Sequence, residues 1–194
     1  QQLTQVNLSE IKYYNFKIGS IAGVDDVILS RTGYTGEIGF ELYVKNENAK
    51  KLWQAIFSTN IEIKPIGLAA RDTLRLEKGF CLYGNDIDET TSPLEAGLGW
   101  ITKFTKTFIN AENLRKQKEL GTKRKLVGLE IIDRGIARKD YVLVNCEGEE
   151  IGIITSGTMS PTLKKAIAMA YVHDDYKEIG TEVFVRVRNK QLKA

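Results

Sequence analysis

The chain has 194 residues, enough for one large domain or two small ones. Its 42% hydrophobic and 27% charged content is that of an ordinary globular protein, and no apolar run is long enough to span a membrane. A formal net charge of +3 is mild, and with no recognisable binding motif beside it nucleic acid is not an expected partner. Cys81 and Cys146 are the only cysteines, and neither has neighbours at metal-ligand spacing, so no zinc or iron–sulfur site is expected and a reducing compartment suits them.

In chain order, residues 27–31 form a short apolar run, and Ile38, Phe40, Leu42 and Val44 alternate along the next. This pattern predicts two strands joined by a glycine-rich hairpin connection. If the even-numbered residues face the core, Glu37, Gly39, Glu41 and Tyr43 face the other way. Gly39 then leaves a gap beside Glu41 of the kind that admits a ligand or another backbone. Tyr34 and two carboxylates, Glu37 and Glu41, thus sit on a turn and the strand leaving it, as in a pocket, although the same spacing fits the solvated face of an ordinary hairpin.

Ala49, Leu52, Trp53, Ile56 and Phe57 recur at helical spacing and predict an amphipathic helix over 48–57 with Trp53 in the core. A second helix is predicted after Pro65 and Gly67, stopped by Gly79. Arg71 and Arg75 share one side of it, where like charges repel unless offset. Asp72 offsets one; the other is left for a buried acid such as Glu41, for a ligand, or for solvent. Residues 83–92 are polar and turn-rich, after which Leu98, Trp100 and Ile101 are expected to return to the interior. Residues 111–120 read as a connecting helix ended by Gly121. The basic cluster Lys123-Arg124-Lys125 fits a solvated loop between domains or a surface that steers an acidic protein partner.

From Leu126 the pattern changes to short strands, at 127–132, 141–144, 151–155, 166–172 and 183–187, with turns at Glu147-Gly148 and Ile179-Gly180. Near-regular short strands suggest a small barrel or sandwich. Residues 157–165 are read as a loop. His173, the single histidine, ends a predicted strand and is expected to be structural, which leaves Ser-His and Cys-His chemistry without a base. Gly33-Tyr-Thr-Gly36 lies in a hairpin and not between strand and helix, so it is not a phosphate loop.

Arg31-Thr-Gly-Tyr-Thr-Gly-Glu, Gly67-Leu-Ala-Ala-Arg-Asp-Thr-Leu-Arg-Leu-Glu, Leu82-Tyr-Gly-Asn-Asp-Ile-Asp-Glu-Thr-Thr-Ser-Pro-Leu-Glu and the stretch 154–172 occur in one order along nearly the whole chain. Together they resemble the glycine cleavage system T-protein (aminomethyltransferase) family. The resemblance implies an α+β fold, with 1–109 as part of a mixed α/β folate-binding domain, 110–125 as a connecting helix and linker, and 126–194 as a small antiparallel β-barrel domain. It implies transfer of a one-carbon unit from an aminomethyl group on the lipoyl arm of H-protein to tetrahydrofolate, with release of ammonia and no metal.

Tyr34, Glu41 and Arg71 match family positions at the folate site, with Glu41 implied as the bidentate acceptor of pterin N–H groups. Phe80 stands where some members carry a tyrosine, and Glu37 is read as a turn residue. The family's aspartate at the reacting nitrogen belongs to an N-terminal half with no counterpart here, so no catalytic residue is assigned. The family's final segment, which also borders the folate site, has no counterpart either, and the fragment is expected to be inactive alone. The compartment implied is bacterial cytoplasm or the mitochondrial matrix. Weighed against this are the folate-binding parts of dimethylglycine or sarcosine dehydrogenases, a non-catalytic folate-binding paralogue, from whose Lys-Gly-Cys-Tyr motif Lys78-Gly-Phe-Cys departs, and an independently folding interaction module.

Overall fold

A computed structural model describes all 194 residues. The chain groups into two compact units, Gln1–Leu74 and Arg75–Ala194.

The first unit is built on three antiparallel strands in spatial order β1 (Phe16–Ile21), β2 (Val24–Ser30) and β3 (Glu41–Tyr43). One face packs with helix α1 (Asn46–Phe57) into a core of Ile11, Ile21, Val24, Val27, Leu29 and Leu52, against which Phe40, Leu42, Val44 and Ile56 lie. Two expectations fail here. Ile38 is 82% exposed, because strand pairing begins only at Glu41 and nothing upstream enforces the alternation. Trp53 is 58% exposed and packs on Phe57 at 4.6 Å, while Leu52 takes the core position. Strand β1 has no counterpart in the sequence reading: Phe16 and Ile18 face outward and only Ile21, at its end, is buried, so it offers no buried alternation to detect.

Helix α2 (Leu68–Glu77) crosses the division between the units. Its end follows from Gly79, whose φ of +69° is open to glycine at little cost. The Gly79 N–H donates to the Leu76 carbonyl and the Phe80 N–H to the Arg75 carbonyl, both at 2.9 Å, which satisfies two carbonyls of the last turn.

The second unit continues through α3 (Ala111–Leu120), at the predicted bounds, to a six-stranded antiparallel sheet. Its strands are β4 (Arg124–Ile131), β5 (Val142–Val144), β6 (Glu150–Ser160), β7 (Lys165–His173), β8 (Phe184–Val187) and β9 (Lys190–Lys193), in spatial order β4-β7-β6-β5-β8-β9. The sheet is open along its ladder, not a closed barrel. Its two edges meet at one end, where the Ile132 N–H donates to the Lys193 carbonyl at 2.8 Å. Leu143, Ile154, Ala170, Val172, Val183 and Val185 form its core.

The loop expected at 157–165 shrinks to a hairpin, because Thr158 and Met159 pair with Ile167 and Ala166 and carry β6 on to Ser160. Trp100 is 68% exposed and Ile101 also lies at the surface, against the expected return to the interior. They follow a glycine-rich stretch of turns with no strand or helix to carry them inward.

Candidate functional site

The first unit holds a cavity of about 440 Å³. The connection between β2 and β3 forms one wall, with Thr32, Tyr34, Glu37 and Glu41, and the start of α2 forms the other, with Leu68 and Arg71. Cross-strand pairing of Ser30 with Glu41 fixes which way the strand faces: Leu42 goes to the core and Glu41 to the cavity side. Gly39 lines the same space, and a Cβ added there would meet no atom within 4 Å. The Arg71 guanidinium lies 4.4 Å from the centroid of the Tyr34 ring, a cation–π distance. Three of the four residues singled out from the sequence, Tyr34, Glu41 and Arg71, therefore gather at one cavity. Phe80 belongs to the second unit, where its carbonyl accepts from Arg75 Nη1 at 3.1 Å.

Thr32, which the sequence reading passed over, contacts Glu41 directly. Its hydroxyl donates to Glu41 Oε2, and the Tyr43 phenol donates to the same oxygen at 3.3 Å. Thr32 Oγ1 is also 3.0 Å from Ser30 Oγ. A threonine has a single hydroxyl proton, so with that proton on the carboxylate the contact to Ser30 is made by Ser30's own. Glu41 Oε1 has no partner within the protein.

In the second unit the sequence reading missed a buried network. Arg75 and Asp86, 1% and 0% exposed, meet at 2.5 Å. Asp86 Oδ2 also accepts from the Leu82 N–H, Thr155 donates to its Oδ1, Arg75 Nη2 donates to Ser156, and the Tyr171 hydroxyl donates to the Asp86 carbonyl. Burial pushes the Tyr171 phenol up to about 12. Burial, then the negative charge of Asp86, raises the Cys81 thiol. No cluster of three or more His, Cys, Asp or Glu side chains is positioned to hold a metal ion, and no helix is long and apolar enough to cross a membrane.

The sequence model of the GCVT N-terminal domain matches residues 1–106, and that of the glycine cleavage T-protein C-terminal barrel domain matches residues 124–194. The chain belongs to the glycine cleavage T-protein family. Aminomethyltransferases of Bacteroides fragilis and Halothermothrix orenii are 59% and 50% identical to it over 198 and 195 residues. These alignments cover 100% and 99% of this chain but 55% and 54% of the relatives, so the chain spans about half the length of the T-proteins it matches. Among solved structures, the glycine cleavage system aminomethyltransferase T from Bartonella henselae superposes with a TM-score of 0.88 at 35% identity, over 95% of this chain and 51% of that one. The family's homologues are transferases, and the likeness to them spans the cavity of the first unit and the sheet of the second.

Proposed function

We propose that this chain supplies the folate-binding portion of an aminomethyltransferase, which moves the one-carbon unit of an aminomethyl group on lipoylated H-protein to tetrahydrofolate and releases ammonia. The observation that carries the reading is a carboxylate with one unpartnered oxygen at a cavity also lined by an aromatic ring and an arginine, all three at family-motif positions. A pterin offers an amino group and a ring N–H, which a carboxylate accepts with charge assistance. Glu41 takes that role, Tyr34 packs against the bound ring, and Arg71 holds Tyr34 and contacts the folate. No step requires a metal. What this half of the protein contributes is orientation: it fixes the pterin so that its nucleophilic nitrogen meets the aminomethyl carbon, and positioning alone supplies a large share of a rate enhancement.

The domain layout that goes with this reading assigns residues 1–109 to the folate-binding domain, 110–125 to a connection and 126–194 to the C-terminal domain.

The test is calorimetric titration of tetrahydrofolate into the protein at the full length of its relatives, wild type against Glu41→Ala, with each variant's fold checked by thermal unfolding. Loss of a charge-assisted hydrogen bond is expected to cost about 1.5 to 3 kcal/mol of binding. Equal affinity in the two proteins would return Glu41 to an ordinary solvated hairpin face.

A further inference from the structure

The geometry points to Thr32 and Tyr43 as positioning residues that hold the Glu41 carboxylate in the orientation a ligand meets, with Thr32 the principal one. This inference rests on the proposed folate site and deepens it.

Glu41 begins a strand of only three residues and is itself exposed, so packing does little to fix its side chain. Two hydroxyls do so instead. Thr32 and Tyr43 both donate to Oε2, from opposite sides in the sequence, and Ser30 donates in turn to Thr32. A hydroxyl chain ending on a carboxylate is charge-assisted, and each member polarises the next. The sheet makes the arrangement possible. Ser30 and Glu41 are a cross-strand pair and Tyr43 lies two residues beyond Glu41, so these three side chains emerge on one face, and Thr32, just past the end of β2, reaches the Glu41 carboxylate.

The consequence is an asymmetric acceptor. Oε2 is taken by the protein, and Oε1 is left for the first ligand N–H. A second ligand N–H reaches Oε2 by competing with Tyr43, whose 3.3 Å contact is the weaker of the two. The carboxylate therefore arrives already aimed, and the ligand does not have to order it on binding.

The experiment uses the protein at the full length of its relatives and reads tetrahydrofolate affinity by calorimetry. Thr32→Val keeps the side-chain volume and removes the hydroxyl; Thr32→Ser keeps the hydroxyl and removes a methyl. Affinity about 10-fold or more weaker in T32V, with T32S within about 2-fold of wild type, is the expected result. In a Glu41→Ala background the T32V effect should disappear, because nothing is left to position. T32V within about 2-fold of wild type, or T32S as weak as T32V, overturns the role. Should T32V fail to fold, Tyr43→Phe decides: an affinity loss of about 3-fold supports the positioning role, and an unchanged affinity overturns it. Wild-type protein that binds no tetrahydrofolate overturns the functional reading itself, an outcome distinct from wild type that binds while T32V binds equally well.

Discussion

The Arg71 guanidinium and the Tyr34 ring, on the first full turn of a helix and on a glycine-rich connection, are stacked at 4.4 Å. The pair joins the two walls of the cavity. A lysine ammonium is compact and has no plane to lay on the ring. Arg71→Lys is expected to leave the fold intact while loosening the wall, and to weaken tetrahydrofolate binding about 2- to 5-fold, the scale of an exposed cation–π contact of about 0.5 to 1 kcal/mol. Calorimetry on R71K beside a thermal melt checks both halves of this expectation.

Asp86 behaves differently, because its contacts are buried. Asp86→Ala removes the buried carboxylate that Arg75 meets, and also the acceptor of the Leu82 N–H and the Thr155 hydroxyl, and is expected to destabilise the second unit by about 3 to 5 kcal/mol. The double variant Arg75→Met/Asp86→Ala removes the buried positive charge as well and should recover part of that loss. Urea unfolding of the three proteins measures it, and a double variant no better than the single one would contradict the ion-pair argument.

Tyr171 gives the stability of the second unit an alkaline limb. Its folded-state phenol is raised to about 12, above the ordinary tyrosine value, so between pH 10 and 12 the unfolded chain releases a proton that the folded one keeps. The contribution is therefore complete below about pH 10 and is lost as pH rises through about 12. Tyr171→Phe is expected to cost about 1 kcal/mol at neutral pH through the lost bond to the Asp86 carbonyl. The difference between wild type and variant should then shrink across that alkaline window.

Gly152 is required by contact, since a Cβ there would lie 2.1 Å from the Tyr171 carbonyl oxygen and 3.0 Å from Val172 Cα. Both obstacles are backbone within the β6–β7 ladder and do not rotate aside. Gly152→Ala is expected to destabilise by about 2 kcal/mol or more, as overpacking does, whereas Gly39→Ala, with open space at its Cβ, should leave the melting temperature within a few degrees of wild type.

The sequence was most legible where one period ran without interruption. Helix α3 appeared at its observed bounds, and β2 and β4 to β8 each appeared at least in part, because each carries a short apolar run, in β7 one buried on both faces. Strands β1 and β9 were missed: Phe16 and Ile18 face outward, and β9 has a single apolar residue, Leu192, to signal a strand. Trp53 was misplaced because an aromatic at helical spacing resembles a core residue even where its neighbour Leu52 fills the core. At the cavity, Tyr34, Glu41 and Arg71 were legible through motif wording more than physics. Thr32 was not, because its role depends on a register between strands that no local pattern states. Asp86 was hidden likewise: an aspartate in a turn-rich segment reads as solvated, and only the fold brings Arg75, Thr155 and Tyr171 around it.

The spatial order of the six-stranded sheet bears on how the second unit is made. Strand β4 is synthesised first of the six and becomes one rim; β9 is synthesised last and becomes the other, and the bond between Ile132 and Lys193 joins the rims at one end. On a translating ribosome β4 therefore emerges long before β7, the strand that covers its only ladder, and the rims cannot meet until β9 is free of the exit tunnel. Pairings so distant along the chain fold slowly, and they leave strand edges open to other nascent chains in the meantime.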